Sequence, residues 1–133
     1  MTAPRPLDRL RELCLRLPEA TERISHGEPA WFVRRAPQFV TYAERHHDDR
    51  VAFWAAAPPG AQADWVSRDP ERFFVPPYVG GRGWIGVHLD VGPNGVPTQR
   101  DWQDIEDIVD DAYRTVAPAT LRARLDADGG GHR

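Results

Sequence analysis

Between Thr21 and Ala57 the chain sets short segments rich in aromatic and β-branched residues apart by very small breaks: Ser25-His26-Gly27, Ala36-Pro37 and His46-His47-Asp48-Asp49. Parallel neighbours in a sheet need a crossover of about a dozen residues or more, usually a helix, whereas antiparallel neighbours need only a hairpin. None of these breaks can hold a crossover. The spacing therefore predicts an antiparallel meander, with strands near 21–25, 29–34, 38–45 and 50–56.

The flanking segments are helical. Leu7, Leu10, Cys14 and Leu17 recur at helical spacing and Pro18 ends the run, which predicts an amphipathic helix over 7–17. Pro58-Pro59-Gly60 opens a short helix over 61–68 that Asp69-Pro70 closes. Phe73, Phe74 and Val75 begin a further extended segment, and residues 83–90 alternate strictly, with Ile85, Val87 and Leu89 set against Trp84, Gly86 and His88. Asp101 is read as the cap of a third helix carrying Trp102, Ile105, Val109, Ala112 and Val116, and Pro118 starts a last short helix through Leu121 and Leu125. This order predicts one α+β domain over 7–125, a curved antiparallel sheet with helices packed on one face, between flexible tails at 1–6 and 126–133.

Composition narrows the function. All 17 basic side chains are arginine, against 20 acidic ones and a net charge of −3. With no lysine, Schiff-base and P-loop-lysine chemistry are excluded. Cys14 is the only cysteine, which excludes an internal disulfide and a thiolate-clustered metal site; its leucine neighbours predict a packing role. No run is apolar enough to span a membrane or to form a signal segment, so the expectation is a cytoplasmic protein without a membrane partner, favoured as a monomer. Gly81-Arg82-Gly83-Trp84-Ile85-Gly86 matches G-x-G-x-x-G literally, but it leads into a strand and not a helix, so it reads as a turn and not as a dinucleotide site.

Two segments carry candidate chemistry. In Phe73 to Val87, a diproline, turn glycines, an arginine and large aromatics fall together. If residues 83–90 are extended, Arg82, Trp84 and His88 share one solvent-directed stripe suited to stacking on a base or another planar ligand. The bland alternative has Trp84 under a helix and Arg82 paired with an acid of the third helix. In Ser25 to Trp31, His26 and Glu28 flank a glycine turn, which could bring an acid and a base together, but no nucleophile motif accompanies them. His46-His47-Asp48-Asp49 reads as a hairpin tip and the acids from Asp101 to Asp111 as a solvated helix face. No metal site, cofactor or catalytic residue is predicted.

The spans LPEATERISHGEPAWFV, DPERFFVPPYVGGRGWIGVHLD and DWQDIEDIVDDAYRTVAP resemble the MmcQ/YjbR family. The resemblance implies a frataxin-like (CyaY-like) α+β fold, a DNA-binding label and no established catalytic activity. Its motif positions fall on His26, Gly27, Pro29, Phe74, Pro76, Pro77, Tyr78, Gly80, Gly83, Trp84 and Gly86. The chain departs from the usual family pattern in lacking lysine and in the uncharged stretch Val51 to Ala63. The expected role is non-enzymatic binding. Nucleic acid comes first, through Arg34, Arg35, Arg82, Trp84 and His88; the alternative is a small planar or anionic ligand, held by Trp31, Trp54, Tyr78 and Trp84 beside Arg82. His26 is a further candidate binding residue. A histidine general base, His26 or His88, is the third reading.

Overall fold

The computed structural model describes residues 5–44 and 49–130; His46, His47 and Asp48 of the expected hairpin tip lie outside them. Helix α1 (Pro6–Leu15) carries proline in its first turn, where the missing N–H costs no helical bond. The meander follows as β1 (Ala20–Ser25), β2 (Glu28–Val33), β3 (Gln38–Glu44) and β4 (Val51–Ala55). After helix α2 (Ala61–Arg68) the chain lays down β5 (Phe73–Phe74) and β6 (Ile85–His88). The six strands form one antiparallel sheet in the order β1-β2-β3-β4-β6-β5, so the late strand β6 lies inside and short β5 takes the edge.

Residues 80–82 wind into a 3-10 turn, which delays the strand predicted from Gly83 until Ile85. Helix α3 (Gln99–Val116) begins earlier than expected. Thr98, not Asp101, is the N-cap: its hydroxyl accepts the Asp101 N–H at 3.1 Å while the Asp101 carboxylate accepts the Thr98 N–H at 2.9 Å. This is the reciprocal capping box, in which the acid belongs three residues inside the helix. Helix α4 (Ala119–Leu125) runs on into a π turn over Asp126–Gly130, where Asp126 pairs with Arg114.

The register shows which face is covered. Glu22 and Trp31 are partners, as are Trp31 and Val40, Val40 and Ala55, and Ala55 and Ile85, so these side chains share a face. On it the Trp31 indole donates to Glu22 at 2.9 Å and Arg11 of α1 donates to the same carboxylate at 2.9 Å. Tyr113 of α3 meets the Phe39 ring edge-on at 5.6 Å and donates its hydroxyl to the Pro18 carbonyl at 2.7 Å. Cys14 is fully buried here, and burial pushes its thiol well above the ordinary range, so little reactive thiolate forms. The opposite face carries a different row, because Thr41, Trp54, Gly86 and Phe74 are successive partners across β3, β4, β6 and β5.

Two substitutions test this framework. A methyl group added at Gly86 would meet the ring of Phe74, which is itself stacked on His88 at 4.5 Å. Gly86→Ala should therefore destabilise the protein by about 1–3 kcal/mol in urea unfolding, and most of that penalty should vanish in a Phe74→Ala background. At the base of β4, burial works against the Asp90 carboxylate, but hydrogen bonds from Arg50 and the Val51 N–H and the charge of Arg50 outweigh it and hold its pKa below the usual value. A depressed folded-state pKa contributes stability above the unfolded value of about 3.9 and loses it as pH falls through the folded one. The melting-temperature gap between wild type and Asp90→Asn should accordingly be widest near pH 6 and close below about pH 4.

Candidate binding cleft on the uncovered sheet face

The first wall of the cleft is the β1–β2 hairpin. Ser25 and Glu28 are partners, and the two residues between them both take positive φ, 54° at His26 and 83° at Gly27. Two consecutive positive φ values make the turn type whose twist matches the flanking strands, and His tolerates that region better than most side chains. His26 is exposed at the rim and Glu28 is half-buried, accepting the Glu44 N–H at 3.2 Å. Tyr42 donates its hydroxyl to Glu44 at 2.8 Å; burial first, and that hydrogen bond second, push its pKa up, so it remains a neutral donor.

The floor is aromatic. Trp54 is 9% exposed and Trp84 5% exposed, with Thr41 beside Trp54 in the partner row. Arg82 lies over Trp84, its guanidinium carbon 5.5 Å from the ring centroid, and forms no ion pair among the described residues.

The second wall is the loop from Val75 to Gly83. Gln62 of α2 pins it by donating to the carbonyls of Gly80 at 2.8 Å and Trp84 at 2.7 Å. Pro76 is buried, but Tyr78 stands out at 77% exposed, its ring 6.5 Å from that of Trp54. Its φ is +64°, and the Val79 N–H donates back to the Pro77 carbonyl at 2.6 Å, closing a three-residue turn around it. An aromatic side chain in the left-handed region is strained by about 1–3 kcal/mol.

These walls and floor enclose a cleft of about 650 Å³ to which His26, Tyr78, Arg82 and Trp84 all contribute. The other predicted residues lie elsewhere. His88 opens on a separate polar depression beside Arg50, Glu71 and Arg72. Arg34 pairs with Glu19 at 2.7 Å; this hydrogen bond, more than the charge alone, raises the Arg34 pKa and lowers that of Glu19. Arg35 is exposed, and its carbonyl is taken by Arg23 at 2.8 Å. The expected open stripe of Arg82, Trp84 and His88 is thus divided. Trp84 turns into the floor under the 3-10 turn, and the Phe74 ring lies over Gly86, between it and His88. Trp31 belongs to the helix-covered face. Among the described residues, the arginines from outside the third helix that meet its acids include Arg72, 3.3 Å from Asp101 and 3.0 Å from Asp104, and Arg16, which pairs with Glu106; Arg82 is not among them.

Sequence reasoning did not single out Thr41, Tyr42 or Gln62. Thr41 carried a usable signal, a polar residue alternating within an apolar strand; Gln62 carried none. Among the described residues no group of three His, Cys, Asp or Glu side chains is placed to hold a metal ion, and no helix is long and apolar enough to cross a membrane.

The arrangement is an open α+β fold with one helix-covered sheet face and a cleft on the other. The fold is shared by the solved structure of the Deinococcus radiodurans protein DR2400, which carries a DUF419 domain. The two superpose with a TM-score of 0.66 over 90% of this chain and 87% of that one, at 15% sequence identity. No curated protein matches the chain by sequence. The YjbR family model matches residues 15–115, and the chain belongs to the YjbR family.

Replacing Tyr78 separates strain from packing. Tyr78→Gly removes a side chain that is mostly in water and relieves the left-handed backbone, so urea unfolding should show a stability gain of about 0.5–1 kcal/mol. Tyr78→Phe, which keeps the strain, should show no such gain.

Proposed function

We propose that this protein is a non-enzymatic binding protein that takes up a small planar molecule in the Trp54–Trp84–Tyr78 cleft. The observation that carries this reading is the cleft itself. It has the size of a small-molecule site, an apolar aromatic floor, and a few polar groups at its rim, the combination that favours small ligands over macromolecules. The strained Tyr78 supports it, since costly backbone conformations gather where a side chain must be presented.

A nucleic-acid role is the second reading, favoured by Trp54, Phe74 and His88 along the uncovered face, where bases could stack. Charge argues against it. Backbone binding needs several available cations on one face, and here Arg34 is paired with Glu19, Arg50 is paired with Asp90, and the chain carries a net charge of −3.

Tryptophan fluorescence tests the proposal, with 2-naphthalenemethanol as a neutral planar probe. Saturable quenching is expected, weakened about threefold to tenfold in Tyr78→Gly, which loses one aromatic wall. Absence of saturation in the wild type, together with salt-sensitive binding of a labelled single-stranded oligonucleotide by anisotropy, would overturn the small-ligand reading in favour of the second.

A further inference from the structure

Resting on that planar-ligand reading, we infer that the cleft selects a planar monoanion, an aromatic carboxylate or a group of similar charge and shape, whose anionic end is seated by Arg82 beside Trp84.

Arginine in this protein is mostly committed. Arg11 is tied to Glu22, Arg50 to Asp90, Arg72 to Asp101 and Asp104, and Arg114 to Asp110 and Asp126. Arg82 lines the cleft with no acidic partner among the described residues, and its guanidinium rests over the Trp84 ring. An aromatic face orients a guanidinium without neutralising it, so the fork that can hold a carboxylate in two parallel hydrogen bonds remains available. Arg82 follows two glycines in the 3-10 turn, and Gln62 fixes the carbonyls on either side of it, at Gly80 and Trp84.

The cleft also holds a carboxylate, Glu28, which would repel an anion at short range. The sheet register sets the distance between them. Glu28 lies on β2 and Trp84 precedes β6, three strand spacings apart, which is roughly 14 Å across the sheet. Along the strands Ala30 is level with Gly86 through Thr41 and Trp54; Glu28 lies two residues to one side of that row and Trp84 two residues to the other, roughly 13 Å more. Both components exceed the Debye length of about 8–10 Å at ordinary salt, so Glu28 is screened from an anion on Arg82. Its end of the cleft, with Ser25 and His26, is left to the uncharged or hydrogen-bond-donating part of the ligand.

The test compares 2-naphthoate with 2-naphthalenemethanol, equal in ring system and different in charge, by quenching titrations on the intact protein. Naphthoate is expected to bind about fivefold to tenfold more tightly, and Arg82→Gln should abolish that preference while leaving the alcohol's affinity unchanged. Arg35→Gln, an exposed arginine outside the cleft, should retain the preference. Equal affinities in the wild type, or a preference that survives Arg82→Gln, would overturn the anion seat and leave the planar-ligand reading standing. If neither probe saturates, both fall together.

Discussion

A sheet has two faces, and here the helical packing is directed to one of them. Helices α1 and α3 meet the face that carries Trp31, Val40, Phe39 and Ile85, and the Tyr113 hydroxyl fastens α3 to the end of α1 through the Pro18 carbonyl. The other face still carries large aromatics, because alternation places Trp54 and Trp84 there. Burying those two rings is worth about 1.5–3 kcal/mol each or more, which is too much for them to be left in water. The chain covers them with what it has: the loop from Val75 to Gly83, pinned by a single glutamine of α2. Coverage by a loop is incomplete where coverage by a helix would not be, and the cleft is what remains.

Most of the frame was legible in residue order. The short breaks at Ser25–Gly27 and Ala36–Pro37 forced an antiparallel meander, and strands β1 to β4 fall within a residue or two of the expected positions. The errors have a common physical origin. Asp101 looked like a cap because capping acids precede helices, yet the Thr98 hydroxyl competes for the same amides and wins by forming the reciprocal pair. Residues 83–90 looked like one strand because they alternate, but Gly80 to Gly83 spend their freedom on a tight turn, with Gly83 at φ +87°.

The site was half legible for the same reason. Alternation assigned Trp84 to the face opposite Ile85, which is where it sits, but alternation along one strand says nothing of what lies above that face. The covering loop decides that Trp84 is floor and not surface, and that Phe74, leaning over Gly86, lies between Trp84 and His88. Such relations join segments through tertiary packing, as does the bond from Gln62 to two carbonyls of a distant turn, and no local pattern encodes them. Abundance of arginine is as little a guide to a site: its planar fork suits anion recognition, but it equally suits the carboxylates of this acidic chain, and many of the guanidiniums close on those.

The position of Tyr78 follows from these constraints taken together. Pro76 is buried and Pro77 cannot donate a backbone hydrogen bond, so the chain must reverse immediately afterwards to bring Gly80 under Gln62. Glycine at position 78 would make that reversal without strain. A tyrosine makes it at φ +64° and gains little burial in return, being 77% exposed. Burial alone does not account for the residue, whose ring lies 6.5 Å from that of Trp54 on the cleft floor. On the planar-ligand reading, a side chain held at a cost, outside the core and over an aromatic floor, would meet what enters the cleft, and Arg82, with no acidic partner among the described residues, would set its sign.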